Sequence, residues 1–141
     1  MTTPSPSEAR IRMLVVDDSE DVRAVFQLLM SDHPEFEFVG ALNTANNLLE
    51  RIAQEQPHVV VLDISMPGCD PLQAMIAVRD RFPSVRFLVS SAYDDPSLID
   101  QAFQSGAHGY LLKEGDFDKL ADAIRAVAAG QTVRPRRRYS R

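Results

Sequence analysis

Four short apolar runs, each followed at once by a polar residue, recur along this chain. The clearest run covers residues 59–62; Asp63 follows it directly, and Pro67 comes shortly after. Three of its four residues are β-branched. An unbroken run of this kind predicts a strand buried on both faces, as in the interior of a parallel sheet. The other runs lie at residues 13–16, 87–89 and 109–112.

Between these runs, apolar residues recur at three- and four-residue spacing, which is the pattern of amphipathic helices. In the first predicted helix the buried residues are expected to be Val22, Val25, Phe26, Leu29 and Met30. Further helices are predicted after a cap at Asn43 or Thr44, and at residues 70–82, 94–105 and 116–129. Residues 36–41 predict a less buried edge strand. This alternation predicts an α/β fold, a doubly wound five-stranded parallel sheet with five helices.

Polar side chains follow the predicted buried strands where they end: Asp17 and Asp18, Asp63, Ser91, and Lys113. Because parallel strands end at one edge of a sheet, we expect these groups to share a crevice. Two like charges about 4 Å apart repel by about 4 kcal/mol at an effective dielectric constant near 20. Three carboxylates would therefore need a proton or a cation among them, and Mg²⁺ is a cation that binds such oxygens.

A carboxylate beside a metal, a lysine and a hydroxyl is suited to phosphoryl transfer. Aspartyl phosphate is a known product of a carboxylate nucleophile, and metal and lysine would hold the charge of the transferred group. Each residue has an ordinary explanation when taken singly, such as a helix cap, a loop, a structural hydroxyl or a surface cation. Turns favour Asp and Ser but not Lys. The presence of acids, a hydroxyl and a lysine together at successive strand ends therefore favours a functional site.

Length and composition place further bounds on the protein. A chain of 141 residues with 45% apolar residues is sufficient for one globular domain. No apolar run approaches the roughly 20 residues that a membrane span needs. The polar N-terminus is typical of neither a signal nor a transit peptide, and a single cysteine, Cys69, forms no internal disulfide. We therefore expect a cytoplasmic protein without a membrane partner.

Charge is distributed unevenly along the chain. All 20 acidic residues precede Arg134, whereas five of the 15 basic residues lie in the last eight positions. An acidic body is a poor partner for nucleic acid. The basic end could touch a phosphate backbone weakly, but a solvated end or the start of a linker is the more ordinary explanation. The expected organisation is a disordered segment at 1–10, one domain at 11–130, and a basic tail or truncated linker at 131–141.

Over residues 10–130 the sequence resembles the receiver domain of two-component response regulators, of the NarL/FixJ type. The matching motifs are Asp17-Asp18, residues 60–68, Ser91-Ala92, Gly106-Ala107 and residues 109–113. The resemblance implies a flavodoxin-like fold with strand order 2-1-3-4-5. It also implies a signalling switch rather than an enzyme, acting at most on its own aspartate.

The resemblance also implies roles for the residues of the crevice. Asp63 would be the phosphoacceptor, and Mg²⁺ would be held by Asp18 directly, by Asp17 through water, and by Asp63 itself. The backbone carbonyl of Ser65 would be the remaining protein ligand. The phosphoryl donor would be a histidine kinase.

Three further residues would transmit the signal. Ser91 would supply a hydroxyl that moves to the phosphoryl group, and Lys113 would pair with that group. Tyr110 would be the aromatic residue whose rotamer follows the movement, although it could equally be an apolar strand residue with its hydroxyl at the surface. The fourth helix, fifth strand and fifth helix would form a partner or homodimer surface. DNA would be bound only through an output domain absent from this sequence, or weakly through the basic tail.

The sequence departs from the family pattern in two places. Pro71 stands where the family commonly has glycine, which would stiffen the preceding loop, and the bulk of Tyr93 would crowd the phosphoryl group and slow its hydrolysis. No helix-turn-helix follows before Arg141, so we expect either a single-domain regulator or a receiver from a longer protein.

Other functions share parts of the pattern. A pseudo-receiver would use the same surface to bind partners without phosphorylation. A haloacid-dehalogenase-type phosphatase would need a second aspartate two residues after Asp63, where this chain has Ser65. A flavodoxin-like flavin binder would need a phosphate-binding loop rich in Ser, Thr and Gly after the first strand, and this sequence has none there.

Overall fold

The computed structural model describes residues 10–65, 70–113, 115 and 117–135. Within these ranges, five parallel strands form one sheet in the order β2-β1-β3-β4-β5. The strands are β1 (Ile11–Val16), β2 (Phe36–Leu42), β3 (Val59–Asp63), β4 (Arg86–Ser91) and β5 (Gly109–Leu112). The helices are α1 (Glu20–Ser31), α2 (Leu48–Glu55), α3 (Pro71–Arg81), α4 (Pro96–Gln104) and α5 (Leu120–Ala128). The predicted fold class and strand order are confirmed.

The core has two layers, one on each face of the sheet. Alternate residues of the central strand β3 enter different layers: Val60 and Leu62 pack toward α2, α3 and α4, whereas Val59 and Val61 pack toward α1 and α5. All five residues of β3 are buried. A strand buried on both faces has no solvent-facing side, which explains its unbroken apolar run.

Side-chain caps position the helices that follow the strand ends. The Ser19 hydroxyl accepts a hydrogen bond from the Val22 amide at 3.2 Å. The Asp70 and Asp95 carboxylates each cap a helix whose first residue is proline. Proline suits this position because its fixed φ matches the helix and its missing amide would have no partner there. Pro71 is thus the first residue of α3.

Two local expectations were wrong. Val25 is 41% exposed rather than buried, because α1 packs on the sheet through Phe26 and Met30. The cap of α2 is neither Asn43 nor Thr44: the Thr44 hydroxyl accepts from the Asn46 amide and forms a local turn, and the helix begins at Leu48.

The last helix is shorter than expected, and pairing continues beyond it. A 3₁₀ turn at Phe117–Lys119 precedes α5. After α5, Gly130 adopts a left-handed φ of 92° and Val133 forms a parallel bridge with Gly109. Among the described residues, no helix is both long enough and apolar enough to span a bilayer.

Candidate functional site

The polar residues at the strand ends lie side by side at one edge of the sheet. Asp17 directly follows β1, Asp63 ends β3, Ser91 ends β4 and Lys113 directly follows β5. These four strands are consecutive neighbours in the sheet, so the fold brings together groups from the whole length of the chain. The Lys113 amide also donates a hydrogen bond to the Ser91 carbonyl at 2.8 Å, which joins the last two strand ends.

Lys113 bridges two buried carboxylates. Its Nζ lies 2.9 Å from Oδ2 of Asp17 and 3.1 Å from Oδ2 of Asp63. Asp17 and Asp63 are only 1% and 2% exposed. The arrangement places one cation against two acids, so the centre retains negative charge that a further cation or a bound proton can balance.

Burial and charge act against each other in this cluster. Burial raises the pKa of Asp17 above its usual value, although the Lys113 ammonium and the Ser19 amide oppose the rise. Burial acts to lower the pKa of Lys113, but bonds to Asp17 and the charges of both acids outweigh it and raise the pKa. Lys113 therefore remains an ammonium throughout the physiological pH range.

Asp63 is held by its own loop. Its Oδ1 accepts hydrogen bonds from the Ser65 amide at 2.9 Å and from the Ser65 hydroxyl at 2.7 Å. One carboxylate oxygen is thereby oriented by Ser65 while the other faces Lys113. The sequence had suggested a role for the Ser65 carbonyl alone; the signal for its hydroxyl was a serine two residues after an aspartate, a spacing typical of local turns.

The three acids can accommodate a divalent cation. Carboxylate oxygens of Asp17, Asp18 and Asp63 all lie within 4.8 Å of one another, and Asp18 is exposed. The buried Oδ2 of Asp17 contacts the Lys113 ammonium at 2.9 Å and has no other hydrogen-bond partner among the described residues. A set of carboxylate oxygens from two buried acids and one exposed acid fits Mg²⁺, which commonly retains several waters.

Ser91 and Tyr110 form a second group beside the acids. The buried Ser91 hydroxyl accepts from the Tyr93 amide at 3.0 Å, and the Tyr110 hydroxyl donates to the Tyr93 carbonyl at 2.9 Å. Tyr110 is fully buried, so its hydroxyl is not at the surface. Burial raises the pKa of Tyr110, against a smaller opposite effect from the Ser91 hydroxyl. Both residues thus hold the loop after β4, and the Tyr93 side chain is 57% exposed.

An apolar hollow adjoins the acids. It has a volume of about 310 Å³ and is lined by Asp21, Val22, Val25 and Lys113. Val25 therefore contributes to the surroundings of the site rather than to the core. Helical periodicity alone did not distinguish these two environments, because it assigns a residue to a face but not to what covers that face.

Comparison with known proteins identifies a family. A profile of the response regulator receiver domain matches residues 13–125. The transcriptional regulatory protein DegU of Brevibacillus brevis is 35% identical over 124 residues, which make up 88% of this chain and 52% of DegU. The probable transcriptional regulatory protein NarL of Mycobacterium tuberculosis is 34% identical over 133 residues, 94% of this chain and 61% of that protein. The chain thus spans about half to three fifths of these relatives.

Solved structures give the same result. The signal receiver domain of NarL from Mycobacterium tuberculosis superposes with a TM-score of 0.81 at 34% identity, covering 86% of this chain and 98% of that domain. A two-component response regulator of the LuxR family from Aurantimonas sp. SI85-9A1 gives a TM-score of 0.83 at 27% identity, covering 88% of this chain and 89% of that one.

Proposed function

We propose that this chain, which belongs to the response regulator receiver domain family, is a switch in which Asp63 accepts a phosphoryl group from a histidine kinase. The observation that carries the proposal is the contact of Lys113 with Asp63 and Asp17 at the ends of three strands. A buried carboxylate with an ammonium beside it can attack an electrophilic phosphorus while the lysine holds the developing charge.

Each residue of the acidic cluster has a distinct task in this proposal. An oxygen of Asp63 forms a new O–P bond as the P–N bond of the donor phosphohistidine breaks, and the imidazole leaves. Lys113 binds a phosphoryl oxygen, and Ser65 orients the carboxylate through its amide and hydroxyl. The chain is therefore a substrate for phosphorylation that contributes to its own modification.

Magnesium is the proposed cofactor. The residues that would hold it are Asp18 directly, Asp17 through water, Asp63, and the backbone carbonyl of Ser65. When bound, the ion would neutralise phosphoryl charge between the carboxylates. The mutual approach of the three acids, two of them buried beside a single lysine, supports this assignment.

Ser91 and Tyr110 are the proposed transmission residues. A phosphoryl group on Asp63 adds charge and strong acceptors, and the Ser91 hydroxyl is a donor at the end of the neighbouring strand β4. Its turn toward that group would release the Tyr93 amide, which it now engages. Tyr110 holds the carbonyl of the same residue, so the loop after β4 and the face formed by α4, β5 and α5 would change together.

The partners follow from this switch. We infer that the receiver spans residues 11–130 and associates with a second copy or an output domain through α4, β5 and α5. Relatives named as transcriptional regulators are longer than this chain, which supports control of a DNA-binding output in a longer protein. Direct DNA contact would then belong to that output domain or, weakly, to the basic residues at 134–141.

The test is incubation with acetyl phosphate and Mg²⁺ followed by intact-mass measurement. We expect one phosphoryl adduct on the wild type and none on Asp63→Asn, because the amide cannot act as the nucleophile. Asp100→Asn, which alters an exposed carboxylate on α4, is the matched control and should be labelled like the wild type.

Two results would contradict the proposal. Labelling that persists in Asp63→Asn would place the acceptor elsewhere. A wild type that binds Mg²⁺ but forms no adduct would instead favour a pseudo-receiver, which binds partners without phosphorylation.

A further inference from the structure

The chain beyond α5 returns to the sheet and pairs with β5. We call residues 131–135 the C-terminal latch. The Val133 amide donates to the His108 carbonyl at 3.1 Å, and the Tyr110 amide donates to the Val133 carbonyl at 2.9 Å. In the described sheet β5 is an edge strand, and exposed edges are templates for pairing with another chain. The latch therefore covers part of a surface that could otherwise bind a strand.

Local sequence directs the chain into this position. Gly130, at φ 92°, and the hydrogen bond from the Gln131 amide to the Ala126 carbonyl reverse the chain after α5. Gly109 leaves room for the latch, because a Cβ there would lie 3.2 Å from the Cβ of Val133. The guanidinium of Arg134 then lies 4.2 Å from the ring centroid of Phe103 on α4. The latch thus reaches β5, α4 and the end of α5 together.

The C-terminal latch makes few buried contacts, so we expect its attachment to β5 to be reversible. Gln131, Thr132 and Arg134 are exposed, and Val133 is only partly buried. A pocket of about 440 Å³ is lined by Val133 and Arg134 of the latch together with Leu111, Lys119, Asp122, Ala123 and Ala126, so the latch does not pack continuously against the start of α5. Segments with few buried contacts and solvent-near backbone bonds open at low free energy.

Tyr110 joins the latch to the loop after β4. Its main-chain amide donates to Val133, while its side-chain hydroxyl donates to the carbonyl of Tyr93. One residue therefore carries a bond to each segment.

We propose that the C-terminal latch competes with a second copy of this chain for the outer edge of β5, and that movement of Tyr110 releases it. A second copy fits because its own β5 offers the same main-chain donor at Tyr110 and acceptor at His108 that the latch now engages. Two copies of one strand edge can pair with each other about a two-fold axis, which places the same patch of each copy in the interface. The release of the latch by Tyr110, which we call the trigger, rests on the function proposed above. The competition between the latch and a second copy does not require phosphorylation.

The first measurement is amide hydrogen exchange by NMR on the full chain. Val133→Pro removes the donor to His108, and Arg134→Ala removes the contact with Phe103. We expect the Tyr110 amide to exchange at least tenfold faster in Val133→Pro and several-fold faster in Arg134→Ala, with Val61 in β3 unchanged. Arg81→Ala is the matched control, because Arg81 lies 5.9 Å from the ring centroid of Phe82 at the end of α3; it should leave Tyr110 unaffected.

The second measurement is the dimer dissociation constant by sedimentation equilibrium, without phosphodonor. Both latch variants should dimerise at least fivefold more tightly than Arg81→Ala. Unchanged Tyr110 exchange in both variants, or faster exchange without tighter dimerisation, would overturn the competition. If the Val61 amide also exchanges faster in Val133→Pro, that variant has lost structure beyond the latch. The test of the competition then depends on Arg134→Ala alone.

The trigger is tested separately with acetyl phosphate and Mg²⁺. In wild-type protein that carries the phosphoryl adduct by intact mass, the Tyr110 and Val133 amides should exchange several-fold faster. Unchanged exchange in labelled protein would overturn the trigger. Failure to form the adduct would count against the proposed function, while the measurements on unlabelled protein would still decide the competition.

Discussion

Lys113 shows how one residue can set the properties of a site. Its ammonium is the cation paired with two buried carboxylates, and its side chain is itself only 21% exposed. Removing one partner of a buried ion pair leaves uncompensated charge, which commonly costs about 3–5 kcal/mol; partial exposure reduces that figure here. The same charge would stabilise a transferred phosphoryl group, so stability and function depend on one atom.

Substitution of Lys113 tests this double dependence. We expect Lys113→Met to slow labelling by acetyl phosphate by about 100-fold, the size of effect found when one preorganised charge-stabilising donor is removed. It should also lower the free energy of unfolding at pH 7 in urea titrations. Lys113→Arg should restore part of the stability because it retains the charge.

Lys119→Met serves as the control for Lys113→Met, since Lys119 is an exposed lysine at the start of α5. It should change the free energy of unfolding by no more than about 0.5 kcal/mol. Equal effects of the two substitutions would show that the ion pairs with Asp17 and Asp63 contribute nothing measurable.

At the scale of elements, two histidines join strands at the amino edge of the sheet. Each precedes a strand and accepts a main-chain hydrogen bond from the neighbouring strand at Nδ1: His58 from Arg12 at 2.9 Å and His108 from Phe87 at 3.0 Å. An accepting Nδ1 must be unprotonated. Burial, with the nearby charges of Arg79 and Arg86, lowers the pKa of His108 to about 4.

This shift of the His108 pKa predicts acid sensitivity. The folded-state pKa of about 4 lies below the usual value of 6.5, so between these values the unfolded chain takes up a proton that the folded chain does not. The contribution of His108 to stability is thus constant above pH 6.5 and is lost progressively as the pH falls to about 4.

The comparison of wild type with His108→Gln isolates that effect. The glutamine carbonyl can still accept the Phe87 amide but does not titrate. We expect urea unfolding between pH 7 and 4 to show a smaller loss of stability in His108→Gln. Parallel curves for the two proteins would refute the role of His108.

At the scale of the whole molecule, β4, α5 and the C-terminal latch meet at Gly109. A Cβ there would lie 2.7 Å from Cδ1 of Leu88, 3.0 Å from Cγ2 of Val127 and 3.2 Å from Cβ of Val133. These atoms belong to side chains that pack in one core layer. The absence of a side chain at Gly109 therefore allows β4, α5 and the latch to pack closely together at the edge strand β5.

Gly109→Ala should destabilise the fold by about 1–3 kcal/mol, the usual cost of overpacking. Chemical unfolding at pH 7 measures this change. Gly40→Ala is the matched control in β2: its Cβ would meet Nη2 of Arg51, the far end of a flexible side chain, and Cδ1 of Leu14 at 3.1 Å. A smaller cost is expected at Gly40, and an equal cost would show that closure at Gly109 is not specially tight.

The sequence by itself determined the elements and the edge of the sheet at which the chemistry lies. Buried strands such as residues 59–62 and the polar residues that end them are local patterns, and the carboxyl ends of parallel strands necessarily share an edge. Residues 17, 63, 91 and 113 could therefore be assigned to one crevice without coordinates. The family resemblance rested on the same positions.

Only the tertiary structure decided which of these groups touch. Three observations depend on how distant elements pack: Lys113 contacts both Asp17 and Asp63, Ser91 binds the Tyr93 amide, and Val25 remains exposed. The return of Val133 to β5 is of the same kind. Periodicity assigns a residue to a face of its own element, but contacts between elements depend on the register and spacing of the assembled sheet.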